Sequence, residues 1–174
     1  MQLVEKEQLF GRNSKEVKAH WKAVKIRDSI NRIRGTKFLE KRAWLASDVI
    51  GKEGISALFQ VILHSDQKSQ EKYLPMMKEA VKKGTIQGTD IAILEDRVAL
   101  GQEKKQIYGS QIGWDTEIKY YIKPLEDPEN VDKRRKEVGL LPLSYYDYIL
   151  KIKWDPAVYI LYLPTIEAIE KQSK

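Results

Sequence analysis

Three short segments place polar side chains inside otherwise apolar runs. His64 and Asp66 close LFQVILHSDQ, Asp96 and Arg97 sit in IAILEDRVAL, and Gln106, Tyr108 and Gln111 punctuate QIYGSQ. Burying a donor, an acceptor or a charge without a partner costs roughly 2–7 kcal/mol, so this many polar groups in hydrophobic elements point to one shared network. The chemistry such a set can perform is general acid–base catalysis. His64 would be the catalytic acid or base, because its reference pKa lies nearest neutrality, and Asp66 or Asp96 would orient it. Arg97 would neutralise a carboxylate or phosphate, while Gln106, Tyr108 and Gln111 would fix the substrate by hydrogen bonds. The same residues also admit a structural reading, with His64 as a satisfied core group and Arg97 in an internal ion pair with Asp28, Asp66 or Asp96.

The elements that must position these residues are mostly helical. Residues 15–34 carry Val17, Trp21 and Val24 on one face and Ala19, Ala23, Ile26, Ile30 and Ile33 on the nearly opposite one, which predicts a helix packed on both sides. Asp28 and Asn31 continue the Val17–Trp21–Val24 line, where they either contact a ligand or need internal partners. A second helix follows a turn at Ser47–Asp48. Its core face is Ile55, Leu58, Phe59 and Ile62, and a second line through Glu53, Ala57, Gln60, His64 and Gln67 reads as a polar seam or a lined cleft. QEKYLPMMKEAVKKG predicts an amphipathic helix with Leu74, Met77 and Val81 inward and Gly84 as C-cap. Thr89 or Asp90 is expected to cap the helix that carries Asp96 and Arg97.

From Lys105 the period changes. KQIYGSQIG and IKYYIKPL flank WDTE, which predicts a β-hairpin over 106–123, with Gln106 and Tyr108 on one face and the hairpin packed against helices. Asp127 as cap, Pro128 in the first turn and Gly139 as stop then bound a short charged helix whose Lys133, Arg134, Arg135 and Lys136 read mostly as a solvated face, from which one arginine could turn inward.

Length and composition bound the rest. The 174 residues suit one domain spanning 1–174 that buries its own core. With no cysteine and only two histidines, His20 and His64, there is no disulfide, thiolate site or three-histidine zinc site, which leaves at most an oxygen-rich His–Asp–Asp arrangement. No metal and no cofactor is expected. No run approaches the roughly 18 apolar residues of a membrane span, so the expectation is a soluble, cytoplasmic protein without membrane contact, or an exported one had a signal been removed. The net charge of +6 is uneven, because residues 1–42 hold 12 of the 31 Lys and Arg but only 5 of the 25 Asp and Glu. Lys15, Lys18, Lys22, Lys25 and Arg32 form one basic stripe. An anionic partner would suit it, yet no helix-turn-helix, finger or aromatic-basic strand motif favours nucleic acid.

Taken in order, Trp21, Asp28 and Asn31, then HSD at 64–66, KYLP at 72–75, LEDR at 94–97, QIYGSQ at 106–111 and EDPENVDKRRKEVGL at 126–140 resemble an uncharacterised bacterial domain family with a Q-x-Y-G-T-Q hallmark. The resemblance covers about residues 5–148, with Ser110 in place of the usual threonine and Leu63 where a glutamine often precedes the histidine. It implies a common site without naming its chemistry. Residues 149–174 would be an extra helical or extended cover. The expected fold is mainly α with one small β-hairpin, or α+β if the hairpin is counted. Two function classes stay open: a buried polar site that binds a small anionic ligand or performs acid–base chemistry on it, and a non-enzymatic interaction module with a structural polar network and a basic helix for an acidic protein partner.

Overall fold

The computed structural model describes residues 3–11, 13–42 and 47–172. Among them are eight α-helices, one two-stranded antiparallel sheet and a short 3-10 turn. The mainly helical fold with one small hairpin is therefore as the sequence predicts. The chain forms two compact units, Met1–Ser69 and Gln70–Lys174.

The first unit holds α1 (Leu3–Phe10), α2 (Lys15–Arg42) and α3 (Ser47–Leu63). Val17 and Leu39 of α2 and Ile55, Phe59 and Ile62 of α3 are buried, the last three as their spacing requires. Gly35 lets α2 and α3 approach closely, since a Cβ there would lie 2.6 Å from a Val61 methyl. The expectation that α2 packs on both sides is overturned: Trp21 is 46% exposed, and Ile26, Ile30 and Ile33 are 54%, 45% and 48% exposed. The covered side runs through Val17, Gly35 and Leu39, with Val24 and Asp28 between them partly covered. The line of Glu53, Ala57 and Gln60 on α3, continued by His64 just beyond it, is likewise exposed, and Gln67 at its end is partly covered. Ser47 and Asp48 open α3, while residues 43–46, just before the predicted turn, lie outside the described residues.

The second unit contains most of α4 (Gln67–Lys82), then α5 (Gly88–Gly101), β1 (Ile112–Asp115), β2 (Lys119–Ile122), the 3-10 turn Pro128–Asn130, α6 (Val131–Glu137), α7 (Tyr145–Leu150) and α8 (Pro156–Gln172). On α4 the buried line is Gln70, Tyr73, Met77 and Ala80, with Leu74 and Val81 only partly covered. Gly84 closes the helix at φ +70°, with Thr85 N–H returning to the Ala80 carbonyl at 2.9 Å. α5 starts at Gly88 behind Gln87, so neither Thr89 nor Asp90 is its cap. A Cβ on Gly88 would meet the Val138 carbonyl at 2.9 Å, so glycine allows the helix to begin against the end of α6.

The hairpin is shorter than predicted. Its register pairs Ile112 with Ile122 and Asp115 with Lys119, and residues 106–111 form a loop instead of a strand. It packs on the C-terminal helices through Tyr121, Ile122, Leu125, Val131, Leu143, Tyr159 and Ile166. Beyond α7, residues 151–155 have no regular structure and Pro156–Gln172 is helical, as one of the two expectations had it, but through Tyr159 and Ile166 the helix completes this core instead of covering it. Tyr159 Oη accepts from Leu125 N–H at 2.8 Å and donates to the Lys123 carbonyl at 3.0 Å.

Candidate functional site

Asp96 lies on the buried face of α5, where its carboxylate is fully enclosed. Oδ1 accepts the main-chain N–H of Ile107 at 2.7 Å and of Tyr108 at 2.9 Å, and Oδ2 accepts that of Ser110 at 2.8 Å. This is why QIYGSQ does not form a strand. Three of its N–H groups point one way onto a single carboxylate, which no flat ladder permits, and Gly109 at φ +68° makes the bend. Burial pushes the Asp96 carboxyl above the ordinary carboxylate range, while the three N–H donors pull it back.

Gln106 closes the same loop from inside. It too is fully buried; its Nε2 donates to the Gln111 carbonyl at 3.0 Å and the Lys123 carbonyl at 2.9 Å, and its Oε1 accepts Gln111 N–H at 2.8 Å. Its own N–H reaches the Pro124 carbonyl and its carbonyl takes Glu126 N–H, which fixes the loop to the strand exit. Gln111 Nε2 donates to Ser110 Oγ at 2.9 Å.

Two arginines bind the opposite side. Arg134 Nε donates to the Ile107 carbonyl at 2.9 Å, Nη2 to the carbonyls of Glu126 and Asp127, and Nη1 to the Asp127 carboxylate at 3.0 Å. Asp127 therefore serves Arg134 and the Asn130 side chain and caps no helix N–H. Arg135, 3% exposed, donates from Nε to the Leu141 carbonyl and from Nη1 to the Tyr108 carbonyl, both at 2.6 Å, and lies over the Tyr146 ring. Tyr108 is thus held at its N–H by an anion and at its carbonyl by a cation. The run 133–136 reads in sequence mostly as a solvated face from which one arginine could turn inward; Arg135 does so and Arg134 is partly buried as well. The signal was present in the four- and three-residue steps Val131, Arg135, Val138, which place Arg135 on the apolar side of α6.

The Tyr108 side chain is half-buried and hydrogen-bonds Glu95, which pairs with Lys78 at 2.5 Å. Burial first, then the Glu95 charge and hydrogen bond, push its phenol up to about 12. Arg97, next to Asp96, is partly buried, and burial lowers its guanidinium.

The other predicted site residues belong to the first unit. Asp28 is partly covered and Asn31 exposed on α2, and His64 is exposed just past the end of α3. Asp66 receives Ser69 N–H at 2.9 Å as the cap of α4 and pairs with Arg32. The Ser69 main-chain bond chiefly holds its carboxyl below the ordinary range. The structure brings Asp96, Gln106, the Tyr108 main chain and Gln111 into one network inside the second unit, and His64, Asp66, Asp28 and Asn31 lie outside that unit.

A model of the family of unknown function DUF6624 matches residues 16–158. The chain belongs to this family. The match starts later than the 5–148 expected and takes in the head of α8. No curated protein and no solved structure matches the chain. The matched residues run from the first turn of α2 through α7 and so include the segment that carries the network around Asp96. Among the described residues no group of three or more His, Asp or Glu is placed to hold a metal ion, and no helix is long and apolar enough to cross a membrane.

Proposed function

We propose that this DUF6624 member is a non-enzymatic interaction module, in which the polar segments hold the second unit together and the basic helix α2 meets an acidic protein partner. The observation that carries this reading is the occupancy of the network. Both Asp96 oxygens and both Gln106 side-chain polar atoms are bonded to main chain between residues 106 and 123. The hydrogen bonds of both groups are thus spent largely on the chain's own loop, which favours a structural role over contact with a ligand. α2 supports the second half of the reading, with ten Lys or Arg against three Asp or Glu, and Lys15, Lys18, Lys22 and Lys25 exposed.

Acid–base chemistry on a small anion has one observation in its favour, the Lys78–Glu95–Tyr108 array. A phenol held near pH 12 stays protonated and can donate but not act as a base at neutral pH. The groove of about 420 Å3 near Lys104, Lys105 and Lys171 also offers little net attraction to an anion, since Glu103, Glu167 and Glu170 share its walls. Lys105 is paired with Glu167.

Binding to fluorescent poly-glutamate tests the proposal. The expected result is an affinity that falls steeply between low and moderate salt and is lost on Lys18→Glu, Lys22→Glu and Lys25→Glu together. Equal or tighter binding of a DNA duplex would replace the acidic protein with nucleic acid. A small anion that stabilises wild type but not His64→Ala in a thermal-shift screen would restore the ligand-site reading.

A further inference from the structure

The exposed side of α2 has a period of its own. Ala19, Ala23, Ile26, Ile30 and Ile33 recur at alternating steps of four and three, the a and d positions of a heptad, and all five are exposed. They lie on the side of the helix away from Val17, Gly35 and Leu39, which face the rest of the unit. Three isoleucines in line at 45–54% exposure are costly to leave in water, and scattered single apolar residues do not explain a strict period. The residues beside this seam are basic. With Ile26 and Ile33 at d, Arg27 and Arg34 occupy e; with Ala23 at a, Lys22 occupies g, and Lys15 takes g one turn pair earlier. All four are exposed.

The geometry points to a partner helix with its own apolar heptad seam and Glu or Asp at the flanking e and g positions, docked along Ala19–Ile33 of α2. This rests on the reading of α2 as the docking element and names its partner's chemistry. The charges decide between occupants. A second copy of the chain would set Arg27, Arg34 and Lys22 against the same cations, which is repulsive at e and g, whereas an acidic helix places an opposite charge at each. A lipid surface calls for a broad face of large apolar residues, and here the seam is one residue wide with two of its five positions alanine.

The test uses the full-length protein and a fluorescein-labelled synthetic helix with Leu at a and d and Glu at e and g, followed by anisotropy, with a Lys-flanked peptide as counterpart. Wild type is expected to bind the Glu peptide and not the Lys peptide. Ile26→Ser with Ile30→Ser is expected to weaken binding roughly tenfold or more while leaving Tm within a few degrees, since both positions are exposed. Unchanged binding in that variant, with loss in Arg27→Glu and Arg34→Glu, would overturn the heptad seam and leave the acidic-partner reading standing. Loss in neither would overturn both. Equal binding of the Lys peptide, a dimer of the free protein by sedimentation, or phosphatidylserine-vesicle binding abolished by the same Ile variant would each assign the face to a different occupant and overturn the inference.

Discussion

Replacing Asp96 should be among the most destabilising single changes in the second unit, and its size follows from three hydrogen bonds. Asp96→Ala leaves the N–H groups of Ile107, Tyr108 and Ser110 without their acceptor. An unsatisfied buried donor costs about 1–3 kcal/mol, and because these three residues are only partly covered, water reaches some of the loop, so the lower half of the range applies and the total is about 4 kcal/mol. Asp96→Asn keeps one acceptor for Ile107 and Tyr108 and sets an amide donor against Ser110 N–H, a loss of about 2 kcal/mol. Against a typical domain stability of about 5–15 kcal/mol, both are large. Urea denaturation is the assay, followed by the indole NMR signals of Trp114 and Trp154, which belong to the second unit and report it separately from the first. The order wild type, Asn, Ala with an unchanged slope is expected. An alanine variant within about 0.5 kcal/mol of wild type, or above it, would refute the reasoning, since a stabilising loss marks a strained ligand site and not a structural tie.

Other outcomes follow from the same geometry. Gly109→Ala should cost at least about 1 kcal/mol, because its φ of +68° is left-handed and a Cβ would press on both Leu143 methyls at 3.2 Å; a melting curve matching wild type would contradict this. His64→Ala, at an exposed position, should move stability by less than about 0.5 kcal/mol in urea titration. Among the nine tyrosines, Tyr108, Tyr121 and Tyr159 should ionise last in an absorbance titration, and Tyr108→Phe should remove one late step. The sign follows from the raised folded value: the Tyr108 contribution to stability is whole below pH 10.0 and is lost as pH rises through about 12. Asp66, held low by Ser69 and Arg32, acts in the other sense, with its contribution present above its unfolded value near 3.8 and lost as pH falls, so Asp66→Asn should flatten the acid limb of the stability curve.

What was legible in the sequence was mostly periodic. The spacing of Ile55, Phe59 and Ile62 gave the core of α3, and Gly84 and Gly139 marked helix ends that do take positive φ. Of the residues read in sequence as one shared polar network, Asp96, Gln106 and Gln111 are joined by hydrogen bonds through QIYGSQ, whereas Asp66 bonds Ser69 and Arg32. Its partners were not legible, because the loop is held by main-chain groups, and a sequence records side chains. A carboxylate that gathers three N–H groups looks, in sequence, the same as one waiting for a substrate. Only the spacing of Arg135 with Val131 and Val138 signals that it turns inward; its acceptors do not show in the sequence, because its charge is met by two main-chain carbonyls and a tyrosine ring and not by Asp132 or Glu137 beside it. The reading of α2 as doubly packed failed because its second apolar line is real but uncovered in the chain itself. Periodicity tells that a face wants burial, not what buries it.

Hydrogen exchange at the amides of Ile107, Tyr108, Ser110 and Gln111 tests the central claim most directly. If the polar network is the tie that holds the second unit, these four N–H groups exchange only when that unit unfolds, with protection equal to that of the β1–β2 ladder and lowered together in Asp96→Ala. Exchange of the four far faster than the ladder in wild type would mark a loop that opens on its own to admit a ligand, and would contradict the account.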